Sequence, residues 1–218
     1  MCVRFLLEAD IEELMSYYRA KWEKMGNYRG GDFYPKQSAP VVLEQRGRVI
    51  TAARWGFDYG SKKKVVANAR AETVLDKPMF REAARTGRCI VPANWFYEWK
   101  AQDTGKKVRY RAGLKDLSIM SLGGLCKLSL DRDAGPQLTF VIITTDAEEG
   151  VREVHPRMPL IIKREWVDAW LSKDTPLKLV KEILGAKIGA EFTIEECEDG
   201  KSGDQTEESI YGEQMSMF

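Results

Sequence analysis

The sequence predicts an α+β fold. Two observations carry this: segments with strand character outnumber helical ones, and the two kinds do not alternate in the regular way a doubly wound sheet requires. No internal repeat is present. The 218 residues suit one domain with at most short appendages, and a 44% hydrophobic content is ample for one core.

Taken in order, residues Glu8 to Lys24 read as an amphipathic helix. Ile11, Leu14, Met15, Tyr18 and Trp22 recur at spacings of three and four. Gly26, Gly30 and Gly31 then break the pattern. Val41–Leu43 and Val49–Trp55 read as two strands joined near Gly47. Ser61–Lys64 is a basic loop leading into an extended run, Val65–Ala71. Pro78–Arg85 suits a short helix, with proline tolerated in its first turn and Gly87 just past its end. Cys89–Trp99 is apolar, aromatic and extended. Val108–Ala112, Ser118–Leu125 and Leu138–Thr145 are further strands, and Pro159–Ile162 is apolar. Arg164–Leu171 and Leu177–Leu184 read as helices, and Phe192–Ile194 as a last strand. The remainder is polar, acidic and expected to be disordered.

Composition narrows the function classes. No apolar run approaches the roughly 20 residues that cross a bilayer, and no secretory signal precedes Glu8 and Asp10, so a cytoplasmic, nucleoid-associated location is expected. Cys2, Cys89, Cys126 and Cys197 are scattered, and His155 is the single histidine. Zinc ligands come in close pairs, so neither a metal nor another cofactor is expected. A disulfide framework is not expected either. The net charge of +1 hides an asymmetry: from Glu191 to Phe218 there are nine acids and one base, which leaves 33 bases and 24 acids for residues 1–190. A body of +9 beside a tail of −8 fits a polyanion-binding surface, or equally an ordinary solvated one.

Cysteine at position 2 is the first residue with distinctive chemistry. Once Met1 is removed, Cys2 carries an α-amine and a thiol on adjacent carbons. The amine condenses with an aldehyde to a Schiff base, and the thiol closes onto the imine carbon as a five-membered thiazolidine. An α-amine titrates at about 7.7–8.0, so part of it is neutral at physiological pH. Arg4 lies two residues away and supplies positive charge. The plain alternative is an unreactive cysteine in a terminal strand.

Three further segments stand out: Asn68-Ala69-Arg70-Ala71-Glu72-Thr73, Trp95-Phe96-Tyr97-Glu98-Trp99 and His155-Pro156-Arg157-Met158-Pro159. With Met1-Cys2-Val3-Arg4-Phe5 they form an ordered set that resembles the SRAP family, the SOS-response-associated peptidases. The resemblance covers Met1 to about Leu171. It implies mainly antiparallel sheets in a curved or barrel-like core with flanking helices, with residues 1–198 as the domain and 199–218 as an acidic tail. It also implies covalent capture of abasic sites in single-stranded DNA, a shielding step of the DNA damage (SOS) response. In that scheme Cys2 forms the thiazolidine and Asn68 holds its amine and the sugar. Glu98 shuttles protons, and His155 assists ring opening and release. Thr144 lines the pocket, and Arg4, Arg70 and Arg157 grip flanking phosphates.

The residues fit those roles on their own chemistry. A carboxylate among aromatics has its pKa raised, and strand alternation places Glu98 on the face of Phe96, opposite Tyr97 and Trp99. Read alone, Glu98 equally suits a salt-bridged surface carboxylate. Trp55, Phe57 and Tyr59 are stacking candidates, with Lys62, Lys63 and Lys64 near the backbone; a core strand position is the alternative for Trp55. Two departures from the family pattern occur. Trp95 stands where glycine is common three residues before the glutamate, and Ser61 stands where an aromatic wedge can precede the asparagine. The family name also keeps open a cysteine peptidase using Cys2, His155 and Asn68 or Glu98. A module that binds single-stranded DNA without covalent chemistry is a third reading. The final Gln214-Met215-Ser216-Met217-Phe218 resembles peptides that dock in the bacterial sliding clamp, where two apolar side chains and a terminal aromatic fill a cleft.

Overall fold

A computed structural model describes residues 2–23, 28–59, 64–131 and 135–197. The expectations for Gly26, Ser61, Lys62, Lys63 and the tail, including Gln214, Met215, Met217 and Phe218, lie outside the described residues. The chain opens with β1 (Phe5–Leu7) and α1 (Ile11–Tyr18), followed by β2 (Lys21–Trp22), β3 (Gly31–Phe33), β4 (Ser38–Glu44) and β5 (Arg48–Trp55). Then come β6 (Phe57–Tyr59), β7 (Lys64–Val66), β8 (Asn68–Arg70), α2 (Arg81–Thr86), β9 (Arg88–Ala93) and β10 (Trp95–Ala101). The long strands β11 (Lys107–Leu114), β12 (Met120–Asp131) and β13 (Gly135–Asp146) follow. The last elements are β14 (Arg157–Pro159), α3 (Val167–Leu171), α4 (Leu177–Gly185) and β15 (Phe192–Glu196).

The strands form two main sheets. In the larger, β13, β12, β9, β4 and β5 follow one another, and a parallel pairing of β5 with β13 (Phe140 opposite Trp55) closes them into a ring. Closure removes the exposed edges that an open sheet would carry. The second sheet runs β15-β11-β10-β1-β3. β6 and β7 make a separate hairpin. The α+β expectation and the barrel-like core therefore hold.

Local chemistry explains where the expected elements shift. The first helix is shorter than its periodicity suggests. Asp10 caps it, accepting from the Glu13 amide at 2.8 Å, and it ends at Tyr18 because Arg19 turns left-handed (φ 51°). Trp22 belongs instead to β2, which pairs with β5, and its ring meets Tyr28 edge-on at 5.3 Å. The second helix starts at Arg81, three residues later than expected, and Gly87 caps it. A side chain at Gly87 would meet the Cys126 carbonyl oxygen at 2.1 Å.

The run Cys89–Trp99 is two strands in different sheets. Asn94 divides them: its amide bonds the Leu6 carbonyl at 2.8 Å, and its side chain accepts from the Glu8 amide at 2.6 Å. Gly56, at φ 112°, turns the chain from the barrel strand β5 into the β6–β7 hairpin, and its amide reaches the Phe140 carbonyl at 2.7 Å. Trp55 is the seam between the sheets. It is fully buried, lies 5.3 Å from Phe5 of one sheet and stacks at 5.9 Å on Phe140 of the other.

Candidate functional site

The two sheets meet around Cys2. Phe5 pairs with Phe96, and the Tyr97 amide bonds the Arg4 carbonyl at 3.1 Å, so the residues before β1 continue beside β10 toward Glu98. Cys2 is fully buried, and its Sγ donates to the Arg4 carbonyl at 3.5 Å. Burial and then the negative charge of Glu98 push the thiol well above its ordinary range, so it is held as the thiol rather than the thiolate.

From the barrel side comes Asn68, the first residue of β8. That strand lies parallel to β13, with Asn68 opposite Ile142 and Arg70 opposite Thr144. Asn68 is buried, and its Nδ2 donates to the Cys2 carbonyl at 2.9 Å. Its Oδ1 is buried without a hydrogen-bond partner among the described residues. The asparagine thus grips the main chain of residue 2 and holds a spare acceptor in reserve.

Glu98, on the inner face of β10 with Phe96, is only 2% exposed, which removes the alternative of a surface carboxylate. Its Oε2 lies 3.7 Å from Nδ1 of His155, an ion-pair distance when the ring is charged. His155 sits in the loop before β14. Its Nδ1 is 3.1 Å from the Arg157 amide and 3.0 Å from the Arg157 carbonyl oxygen. When Nδ1 accepts from that amide, the neutral ring carries its proton on Nε2. The fold therefore brings Cys2, Asn68, Glu98 and His155 into one cluster from four separate stretches of chain.

Three arginines were expected at the DNA backbone. Arg70 is exposed, two positions along β8 from Asn68. Arg4 and Arg157 are both engaged by carboxylates. Arg4 forms a fork with Asp32, at 3.0 Å (Nε) and 2.9 Å (Nη2), and lies 4.4 Å over the Tyr97 ring and 5.2 Å from that of Tyr34. Arg157 reaches Glu72 at 2.5 Å and Asp146 at 2.7 Å, and donates to the Thr144 carbonyl at 2.7 Å. Thr144 itself is fully buried, so it frames the site from behind rather than contacting a strand of DNA.

Two stacking expectations are corrected. Trp55 is enclosed in the core, with its Nε1 bonded to the Ala67 carbonyl at 2.9 Å. Phe57 is fully buried too, tilted against Phe80 at 6.1 Å and covered by the Lys127 ammonium at 4.1 Å. Tyr59 is 50% exposed, and Lys64 is beside it across the hairpin. Trp95 does not narrow the site. It faces away from Glu98, with Arg111 4.4 Å over its ring, across the ladder from Gly113.

Asp32 and Glu72 were given no role by the sequence, and Tyr97 was named there only as an aromatic neighbour of Glu98, not as the ring under Arg4. Glu72 had a signal: it falls inside one motif, and its partner Arg157 inside another, an acid and a base awaiting a pairing. Asp32 follows Gly30 and Gly31 in a stretch with no periodicity.

Comparisons with known proteins give the family and the fold. The family model for SOS response associated peptidase (SRAP) matches residues 1–198. Abasic site processing protein YoaM of Bacillus subtilis is 30% identical over 193 residues, 84% of this chain and 85% of its own length. Abasic site processing protein YedK of Escherichia coli is 30% identical over 135 residues, 61% of this chain and 59% of its own. A crystal structure of a protein from Bacteroides thetaiotaomicron matches the fold with a TM-score of 0.79 at 24% identity, covering 91% of this chain and 93% of that one. With its barrel, its second sheet and the four motif segments gathered between them, this chain belongs to the SOS response associated peptidase (SRAP) family.

Proposed function

We propose that the protein processes abasic sites in single-stranded DNA by covalent capture through Cys2, exposed as the N-terminal residue once Met1 is removed. The observation that carries this reading is the grip of Asn68 on the main chain of residue 2. A site built to use the backbone amine must hold the backbone, and here the buried amide carbonyl of Asn68 is left over to orient that amine.

The chemistry balances as a condensation. The sugar of an abasic site opens from its cyclic hemiacetal to a free aldehyde, with a proton delivered to the ring oxygen and one removed from the anomeric hydroxyl. His155 and Glu98, 3.7 Å apart, form the donor and acceptor pair for that transfer. The Cys2 amine adds to the aldehyde carbon and water leaves, giving the imine. The Cys2 sulfur then bonds to the same carbon, and its proton passes by way of Glu98 to the imine nitrogen. The product is a thiazolidine plus one water. A thiol kept protonated suits this order of events, because the amine attacks first and the sulfur closes afterwards. A cysteine peptidase needs the reverse, a thiolate activated by a neighbouring base or a lowered pKa. Arg70, exposed beside Asn68, is the phosphate contact of this scheme, and binding weakens as salt rises. Tyr59 offers a stacking face for a splayed base. Such capture shields the lesion during the DNA damage response.

The test is a denaturing gel of untagged protein, confirmed by intact mass to begin at Cys2, mixed with single-stranded DNA bearing one abasic site. A shifted band in the wild type and none in Cys2→Ala is expected. No band from the wild type would overturn covalent capture. Cleavage of a supplied peptide would then favour the peptidase, and gel mobility of a native complex alone would favour a plain binding module.

A further inference from the structure

Among the described residues, Arg4 is the one nearest the N-terminus whose guanidinium is held both by a carboxylate and by an aromatic ring. Its guanidinium is forked onto Asp32 of β3 and lies over Tyr97 of β10, the two strands that flank β1. Its carbonyl receives the Tyr97 amide at 3.1 Å and the Cys2 thiol at 3.5 Å. β1 has only three residues, and register holds it through Phe5, Leu6 and Leu7 alone. Chain termini fray unless something holds them. A reacting group misplaced by about 1 Å loses on the order of a hundredfold in rate.

We propose that Arg4 is a positioning residue: the Asp32–Arg4–Tyr97 clamp on the outer face of the second sheet holds Cys2 in place on the inner side, beside Asn68 and Glu98. Arg4 therefore acts on the reaction through Cys2 and not through a phosphate. The idea rests on the proposed capture reaction for its catalytic consequence, though not for its structural one. The geometry explains why arginine stands here. A planar fork matches the Asp32 carboxylate and stacks on Tyr97 together, which a lysine ammonium cannot do. Loss of the clamp frees the segment Cys2–Arg4 that leads into β1, and with it Cys2, the residue the chemistry uses.

Two variants separate this role from phosphate binding. Asp32→Asn keeps Arg4 but removes its anchor; Arg4→Lys keeps the charge but removes the fork. Single-turnover crosslinking is followed at saturating abasic DNA, and affinity is measured separately by fluorescence anisotropy with Cys2→Ala added to each protein. Both variants are expected to lose about tenfold in the maximal rate, less than the roughly hundredfold cost of a full displacement of about 1 Å because Asn68 still grips residue 2, with affinity unchanged. Tighter binding by Asp32→Asn with an intact rate would mean that Asp32 restrains a phosphate contact, and would overturn the proposal. An unchanged rate and affinity in both variants would overturn it as well.

A second readout needs no DNA. Alkylation of Cys2 by iodoacetamide, followed by peptide mass mapping, should speed up in both variants as the chain end frays. Failure of wild-type protein to crosslink would sink the capture reading alone; unchanged alkylation of Cys2 in both variants would sink the clamp alone.

Discussion

The two sides of the site are held in different ways. Asn68 sits on a strand inside the barrel system, paired along β13 and backed by buried Thr144, Ile142 and Ile143. Cys2 sits outside the last ladder pair of its strand, at the end of the chain, and depends on side chains for its place. The barrel side takes its restraint first from the ladder with β13, with the ion pairs of Arg157 to Glu72 and Asp146 beside it. The terminal side acquires an ion-pair fork, an aromatic face and an asparagine. The lesson is general: a reactive chain end that runs past the ladder of its own strand requires polar clamps where a residue within a ladder is held by its pairing and packing.

Trp55 joins the two sides, so its loss has the largest expected effect. Phe5 and Phe140, one from each sheet, lie against it, and its Nε1 bonds the carbonyl next to Asn68. Trp55→Ala is expected to cost about 3–5 kcal/mol, the range for deleting a large buried aromatic. Trp55→Phe keeps the stack and loses the bond to Ala67, and falls between. Urea unfolding monitored by circular dichroism measures both. A base-stacking role would give another pattern, with DNA affinity lowered and the urea midpoint of Trp55→Phe unmoved.

A smaller effect tests the Arg157 side. Hydrogen bonding to Arg157, with burial opposing it, holds the Glu72 carboxyl below its ordinary value. A depressed folded-state pKa contributes stability above the unfolded value of about 4.3 and loses it as the pH falls through the folded value. Wild type should therefore lose stability more steeply than Glu72→Gln below about pH 4.3. With the Glu72 side chain 48% exposed, solvent screening keeps the contribution under about 1 kcal/mol. Urea midpoints taken at neutral pH and in acid give the slope. Equal slopes would mean that this ion pair adds nothing to stability, and that backbone pairing alone holds the His155 loop.

Much of this was legible in the sequence, for identifiable reasons. Strands with β-branched runs, such as Val49–Trp55 and Leu138–Thr145, declared themselves because both their length and their residues favour a pleated sheet. Short β1 and β3 were not read, since three residues carry no period. The site motifs named Cys2, Asn68, Glu98 and His155, yet no pattern in the chain could state that β8 and β10 face each other across Cys2. Strand pairing between distant segments decides that. The arginines show the other limit. Arg4 and Arg157 look alike as basic residues in motifs, and only the fold reveals the acids that meet them, one of which lies in an unpatterned stretch after two glycines.

The smallest expected effect concerns the thiols. Cys2 and Cys89 are fully buried, Cys126 is 5% exposed, and Cys197 is half-buried at the end of β15. Iodoacetamide should label Cys197 first in the native protein. Removing the charge of Glu98 by Glu98→Gln should quicken labelling of Cys2, because that carboxylate raises the thiol's pKa. The gain should be no more than a few-fold, since burial is the larger cause and the variant leaves it in place. Labelling of wild-type Cys2 as fast as Cys197 would mean that the chain end leaves its place often, and that the contrast between a restrained barrel side and a clamped terminal side has to be redrawn. Slow labelling that Glu98→Gln leaves unchanged would put the whole restraint on burial, making the clamp at Arg4 the decisive feature and leaving Glu98 to proton transfer alone.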